Sequence, residues 1–420
     1  MKRFLFSTVL ALMVTGLFAQ KVDKAKELLK ANKLTEAKTE IDNFLAQEKN
    51  QKVAEAYYVK AKIYSAISMD ANLKAQNPDA RMEAFNSLKK YTEIDDKMLI
   101  ALQIDGYRPV NDMYTNYYQD GANAFNAKEY EKAYSGFTNA ITISSFMNQK
   151  GWIKMGLDTN SVLYAGVSAE KMNKMDDAAK YYGMLVEGKV KGEGFVEIYK
   201  WIANHYYEKK DFANAEKYLV IGKEVYPTDP FWASLTLDMA RDKGDKKELF
   251  SKYEETIAAY PDNHLYRYNY AVELYQEGYN TDLAKRPANS DELIKKAQDA
   301  IQQTVKIKPD YSRAQLFAGQ MIYNQGVDIL NKSKEIKGTK PEDVKKKADL
   351  KAEAVKKFDE AAPYFLQVDA LLSGQGKLKM EDKSDLKEAY DLLITIYDQK
   401  GLKDKVKEFE VKFNEVDKKH

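Results

Sequence analysis

The chain has 420 residues, with 66 Lys and Arg against 64 Asp and Glu, three histidines and no cysteine. Its hydrophobic content of 44% and charged content of 31% are those of a folded chain and exclude an intrinsically disordered one. The absence of cysteine excludes disulfides, thiolate metal sites, a cysteine nucleophile and a lipid-modified N-terminal cysteine.

Residues 1–19 predict a secretory signal peptide. Lys2 and Arg3 precede an apolar run from Phe4 to Phe18, and Ala19 is a small residue suited to the position before a cut. A single anchoring helix is the less favoured alternative, because the run is shorter than the roughly 20 residues that span a bilayer. We therefore expect an exported chain that begins near Gln20, without a transmembrane span. The periplasm is its first expected compartment, and secretion or association with the outer membrane is the alternative.

Removal of Lys2 and Arg3 would leave 64 basic and 64 acidic residues. A protein that binds nucleic acid usually has a clear surplus of basic residues, which displace counterions from the phosphates. This balance predicts that nucleic acid is not the partner.

Two spacings repeat along the chain. Pro227 and Pro261 are 34 residues apart, and Pro309 follows after 34 residues plus a 14-residue insertion. A small residue, an alanine twelve positions later and a larger apolar residue four positions after that recur as Gly166, Ala178, Tyr182 and as Ala203, Ala215, Leu219. A fixed period of this length is typical of repeat architectures.

This pattern resembles the tetratricopeptide repeat, a helix–turn–helix unit of about 34 residues. The clearest copy runs from Val196 to Asp229, and weaker or interrupted copies cover nearly all of the remaining mature chain. The resemblance implies an all-α fold, an α-solenoid that forms a right-handed superhelix of about nine antiparallel helix pairs. Each pair has an apolar face that it can bury only against its neighbours.

Three insertions divide the expected repeats. Residues 20–150 hold N-terminal repeats with an insertion near 65–80, residues 151–310 hold central repeats with an insertion near 276–290, and residues 311–420 hold C-terminal repeats with a Lys-rich insertion near 324–350. Residues 331–358 carry ten lysines against five acids. A solvated helical extension is the favoured interpretation, and contact with a phosphate-rich or acidic surface is the alternative.

Motifs of enzymes are absent from the sequence. No H-E-x-x-H and no G-x-S-x-G occurs. The segment Gly183–Val190 has the form G-x-x-x-x-G-K, but Val190 replaces the hydroxyl residue that holds magnesium, and the segment follows a helix rather than a strand. We predict no enzymatic activity, no cofactor and no metal.

In the tetratricopeptide family, the first helices of successive repeats line a concave groove. By resemblance, the lining positions here are Tyr118, Phe125, Lys200, Asn204, Tyr207, Glu208, Phe231, Asp238, Arg241, Tyr268, Tyr275, Tyr323 and Asn324. Such a surface, aromatic and of mixed charge, suits an extended peptide or a helix of a partner. The alternative, that these tyrosines only pack between helices, stays open.

The sequence thus predicts an exported, non-catalytic scaffold that binds other envelope proteins. The alternative function is that of a glycan- or solute-binding accessory protein at the cell surface. The oligomeric state and the identity of the partner stay open.

Overall fold

The structure is a computed structural model, and it describes residues 21–95 and 99–419. The predicted signal peptide and its cleavage site lie outside these ranges. The described residues form helices joined by turns, with no strand among them. The predicted all-α class is confirmed.

The helices follow one another in closely spaced pairs. The first group comprises α1 (21–30), α2 (Leu34–Leu45), α3 (Ala54–Met69), α4 (Ala80–Ile94), α5 (Ile100–Ile104), α6 (Arg108–Asn126), α7 (Tyr130–Gln149), α8 (Thr159–Lys171), α9 (Met175–Glu187), α10 (Phe195–Glu208) and α11 (Phe212–Val225). The second group comprises α12 (Phe231–Lys243), α13 (Lys246–Ala259), α14 (His264–Gly278), α15 (Ser290–Ile307), α16 (Ser312–Glu335), α17 (Pro341–Leu372), α18 (Met380–Gln399) and α19 (Lys403–Lys419). Short 3-10 turns lie at Glu48–Asn50 and Leu283–Lys285. Apart from the short α5, the described helices follow one another as successive pairs, and the two helices pack on each other in α3–α4, α6–α7, α8–α9, α10–α11, α14–α15, α16–α17 and α18–α19.

The chain divides into two compact units, and the boundary falls between Trp232 and Ala233. In unit 1, each pair packs on the next, and the first helices α3, α6 and α8 contact one another in series. In unit 2, α14 packs on α15, α15 on α16, α16 on α17 and α17 on α18, and the first helices α16 and α18 also meet. Contact between the first helices of neighbouring pairs is the stacking expected of helical repeats.

The turns inside the pairs repeat one backbone geometry. A residue with positive φ follows α1, α6, α8, α10, α12 and α18, namely Asn32, Lys128, Asn173, Lys210, Gly244 and Gly401, with φ between 55° and 77°. A left-handed residue at this place ends one helix and lets the chain reverse into the next. The same turn in six pairs shows that the repeat is structural as well as sequential.

Small residues stand where two helices cross. A Cβ atom added to Gly136 of α7 would lie 2.7 Å from the Cα atom of Gly121 on α6. A Cβ added to Gly166 would lie 2.6 Å from the ring of Tyr182, which is the pairing of small and aromatic residues that the sequence spacing predicts. Ala203 and Ala215 are fully buried at the α10–α11 crossing. Close crossings of this kind let the backbones approach and bury the apolar faces.

The irregular segments are shorter than the insertions expected from the sequence. The breaks between helices span residues 70–79, 279–289 and 336–340, because α3, α16 and α17 extend into the expected insertions. Pro109 lies in the first turn of α6, where a missing backbone N–H is tolerated. Across residues 21–95 and 99–419, each helix is too short or too polar to span a bilayer.

Candidate functional site

The predicted groove residues of α6 pack between helices. The ring of Tyr118 lies 5.8 Å from that of Phe137 on α7, in an edge-on arrangement. The ring of Phe125 lies 5.0 Å from that of Tyr164 on α8. Both residues are half-buried, so most of their apolar area is used within unit 1.

The predicted residues of α10 form a polar face. The Lys200 ammonium lies 2.8 Å from the Asp229 carboxylate, and this hydrogen bond raises the pKa of Lys200. The Asn204 amide donates to Glu208 at 2.7 Å, one turn later. Tyr207 lies on the same helix and is half-buried. The spacing of these residues places them along one side of α10.

Phe231 lies at the start of α12, where its half-buried ring packs edge-on against Trp232 at 5.0 Å.

In unit 2, Arg241 is held by three neighbours. Its guanidinium donates to Asp238, to Glu273 and to the Tyr253 hydroxyl, each at 2.8 Å. Burial would raise the pKa of Glu273, but hydrogen bonds from Arg241 and Lys246 hold it below the usual value. Asp238 and Arg241 are therefore brought together, within an ion-pair network that fixes α12 to α13 and α14.

Tyr275 and Asn324 are also brought together. The Asn324 amide donates to the Tyr275 hydroxyl at 3.1 Å, and the Tyr275 ring stacks on Tyr279 at 4.8 Å. Arg286, from the segment between α14 and α15, lies over the Tyr279 ring and bonds Asp328 at 2.8 Å. Since Tyr275 is only 8% exposed, its ring serves mainly to hold this segment on α16.

The remaining predicted tyrosines of unit 2 are half-buried. Tyr268 packs edge-on against Tyr311 at 5.2 Å, and burial raises its pKa to about 12. Tyr323 contacts Phe358 of α17 at 5.1 Å. These rings stabilise the stacking of α14, α16 and α17.

A concavity lies elsewhere in unit 1, between α1, α3, the end of α4 and α5. It has a volume of about 750 Å³, within the ~300–1,000 Å³ range of ligand pockets. It is lined by α1, α3, the end of α4 and α5, through Lys26, Leu29, Lys30, Ala54, Glu55, Tyr58, Val59, Lys62, Tyr91, Asp95, Ile100, Ala101 and Ile104. We call it the α5 pocket.

Hydrogen bonds across the α5 pocket hold α5 against α3. The Tyr58 hydroxyl donates to the Ala101 carbonyl at 3.2 Å and to the Asp105 carboxylate. Burial raises the pKa of Tyr58, and the hydrogen bond from Tyr58 lowers the pKa of Asp105, so the hydroxyl stays protonated as the donor. Lys62 adds a bond to Asp105 at 3.2 Å, and Leu102 anchors α5 in the core with no exposed area.

The walls of the α5 pocket are apolar, and its rim is charged. Ile100 and Ile104 are 50% and 78% exposed, which is high for isoleucine. Lys26 is paired with Glu55 at 2.5 Å. Lys30 is exposed and has no hydrogen-bond or ion-pair partner in the described part of the chain. The pocket therefore offers apolar contact and one available cation.

This site was not predicted, because the expected lining positions came only from the first helices of repeats, and α5 belongs to no helix pair. The signal was present as an apolar stretch, Met98 to Leu102 and Ile104, between Asp96 and Gly106. A connection exposed to water rarely carries so many large apolar residues.

A second charged cluster lies between α16 and α18. The Asp385 carboxylate is 3.6 Å from the Arg313 guanidinium, which also bonds Glu381. Burial raises the pKa of Asp385 to about 6, and nearby acids, Glu388 among them, add to the effect, while Arg313 opposes it. Asp385 therefore takes up a proton at a higher pH than an ordinary aspartate does.

The described residues contain no group of three or more histidine, aspartate or glutamate side chains placed to hold a metal ion.

No protein-family model and no curated protein sequence matches the chain. Among solved structures, it is similar to a TPR repeats protein from Bacteroides fragilis, with 17% identity, a TM-score of 0.31 and coverage of 66% of this chain and 98% of that one. It is also similar to the C-terminal part of a TPR repeat-containing protein from Cytophaga hutchinsonii, with 12% identity, a TM-score of 0.26 and coverage of 95% and 96%. The TPR domain of P58(IPK) matches with 14% identity, a TM-score of 0.25 and coverage of 90% and 98%.

TM-scores of 0.31 and below support no conclusion about function. The helix pairs, their shared left-handed turn and the small residues at their crossings are independent of these scores. The chain therefore has a tetratricopeptide-type fold.

Proposed function

We propose that the protein is an exported, non-catalytic scaffold that binds a peptide or helix of another envelope protein. The observation that carries this proposal is the α5 pocket, a preformed apolar cavity in a repeat fold of the kind that serves protein–protein interaction. The predicted signal peptide supports export to the periplasm.

The occupant we propose is an amphipathic segment of a partner protein with an acidic residue near its apolar side chains. Apolar side chains of such a segment would fill the cavity and contact Leu29, Val59 and Ile104, and its acidic residue would pair with Lys30. A cavity of about 750 Å³ has room for several apolar side chains. Preformed walls also lower the entropy cost of binding.

The walls of the α5 pocket do not favour the alternative of a glycan. Sugar hydroxyl groups need several hydrogen-bond partners within the cavity, since an unmade hydrogen bond costs roughly 1–3 kcal/mol. The inner walls here are largely aliphatic, through residues such as Leu29, Val59 and Ala101.

The test places a photo-crosslinking residue at Ile104 in living cells, with the same residue at Val220 as the control. Val220 is 56% exposed and lies in α11, away from the α5 pocket. We expect one protein to crosslink from position 104 and not from position 220. Mass spectrometry then identifies it, and the same sample shows whether the chain begins near Gln20.

Peptides that tile the identified protein are then measured against purified variants. Ile104→Lys should weaken the binding peptide at least about tenfold, the loss typical of an interface anchor, and Val220→Lys should leave it unchanged. Crosslinks only to glycan or lipid, or equal peptide affinity in the two variants, would exclude the proposed function.

A further inference from the structure

The lysine-rich hairpin of unit 2 extends beyond the core of that unit. Helix α17 has 32 residues, and its buried residues begin only at Ala354. After Gly326, α16 buries only Ser333. The first 13 residues of α17 therefore contribute no buried side chain. We call residues 331–358 the lysine arm.

Most of the lysines in the lysine arm are unpaired. Of its ten lysines, only Lys340 and Lys357 have a carboxylate within 4.0 Å in the described structure. With five acids in the same segment, the arm carries a surplus of five positive charges. The surplus is local, because the whole chain is nearly balanced.

The exposed side of α17 carries an apolar stripe. Pro341, Val344, Ala348 and Ala352 follow one another at intervals of three or four residues, so they share one face of the helix. All four are exposed, Val344 to 56%. No described residue of unit 2 covers this stripe.

Lysines flank the stripe on both sides. At about 100° per residue, Lys345 and Lys356 lie on one side of it and Lys351 on the other. The acids of this half of α17, Glu342, Asp343, Asp349 and Glu353, all fall at least about a quarter turn from the centre of the stripe.

From this arrangement we propose that the lysine arm docks on a bilayer of anionic lipids. Helices that lie in a membrane interface carry an apolar stripe, which enters the headgroup boundary, and lysines whose stems follow it while their ammonium groups contact anionic headgroups. Charge complementarity selects the anionic surface, and the exposed stripe selects lipid over a polyanion such as RNA, which offers no apolar layer. The proposal is independent of the α5 pocket.

The test is flotation of the purified protein with phosphatidylcholine vesicles, with and without phosphatidylglycerol. We expect binding only to vesicles that contain phosphatidylglycerol, and release at about 1 M salt, where the Debye length falls to about 3 Å. Each lysine near an anionic surface contributes about fivefold in affinity. The combined variant Lys345→Gln, Lys351→Gln and Lys356→Gln should therefore bind about 100-fold more weakly.

The matched control is Lys191→Gln, Lys223→Gln and Lys247→Gln. These three lysines are exposed and unpaired in the described structure, and the control removes the same charge. It should bind within about twofold of the parent, since none of the three lysines belongs to the lysine arm.

A second variant separates lipid from polyanion. Val344→Ser should weaken vesicle binding about tenfold, by the loss of one buried aliphatic side chain, and should not change binding of inorganic polyphosphate. Three results would overturn the proposal: an equal loss of vesicle affinity in the two triple-lysine variants, binding to uncharged vesicles, or vesicle binding that Val344→Ser does not change. The last result, with strong polyphosphate binding, would assign the lysine arm to a polyanion instead.

Discussion

The crossing of α11 with the start of α12 gives the sharpest test of the packing. A Cβ atom added to Gly222 would lie 2.4 Å from Cη2 of Trp232 and 2.7 Å from two further ring atoms. Trp232 is 1% exposed, and its indole N–H donates to the Tyr226 carbonyl at 2.9 Å. The ring is therefore buried and tethered, and it cannot move aside without the loss of a hydrogen bond.

The cost of Gly222→Ala follows from these distances. Non-bonded carbon atoms rest about 3.5–4.0 Å apart, so the ring or helix must shift by roughly 1 Å. Overpacking of this kind costs about 1–3 kcal/mol, and loss of the Trp232 hydrogen bond would add about 1 kcal/mol. The higher helix propensity of alanine returns about 1 kcal/mol. We expect a net loss of about 1–3 kcal/mol.

Thermal unfolding followed by tryptophan fluorescence reports the stability of unit 1, because Trp152, Trp201 and Trp232 all lie in that unit. For a unit of this size, the expected fall in Tm is about 2–12 °C. Val220→Ala is the control, because position 220 lies on the same helix and is 56% exposed. If Gly222→Ala melts no lower than the parent, α12 does not pack on Gly222 as described.

Three further predictions concern single side chains. Ala215→Glu should lower the Tm by more than about 5 °C, because it buries an unpaired charge at a position with no exposed area. The control Ala213→Glu, on the exposed side of the same helix, should leave the Tm unchanged. Equal Tm values for the two variants would mean that the helix pairing is misassigned. Glu273→Gln should destabilise unit 2 by about 1–3 kcal/mol at neutral pH, because charged hydrogen bonds to Arg241 are lost. In denaturant titrations, the difference in stability from the parent should shrink as the pH falls below about 4, because the folded pKa of Glu273 is lowered. A difference independent of pH would refute this. Asp385→Asn should stabilise unit 2 by about 1 kcal/mol at pH 7 after discount for solvent screening, and this advantage over the parent should disappear as the pH falls from about 7 toward 4, because the folded pKa of Asp385 is raised to about 6. A variant less stable than the parent at pH 7 would show that the Arg313 pair dominates.

The large number of tyrosines has a structural explanation, and the sequence predicts only one part of it. The rings fill holes between helices, as the repeat predicts. The structure adds that many hydroxyls donate to a carboxylate on a neighbouring element, with distances of 2.5 to 2.6 Å for Tyr64 to Asp42, Tyr182 to Glu170, Tyr270 to Glu254 and Tyr390 to Asp369. Burial raises the pKa of Tyr182 and Tyr270, so each stays a neutral donor. Tyrosine thus supplies both apolar area and a hydrogen bond at the same crossing.

The sequence by itself determined the helix pairs. A helical hairpin is local, so the apolar period, the small residues such as Gly166 and Ala215, and the turn positions all lie within one 34-residue unit. Each of these signals is repeated along the chain, and the repetition compensates for weak copies. The all-α class and the pairing could therefore be predicted from the sequence.

Only the tertiary structure decided which side chains stay accessible. Tyr275 has the position of a groove residue, but its ring is buried because Asn324, 49 residues later, and the Arg286 segment close over it. The α5 pocket likewise depends on Tyr58 and Asp105, which are 47 residues apart. Contacts between residues so far apart obey no period within a repeat. They are set by how the non-repeating segments pack on the first helices, and a periodic pattern carries no information about that packing.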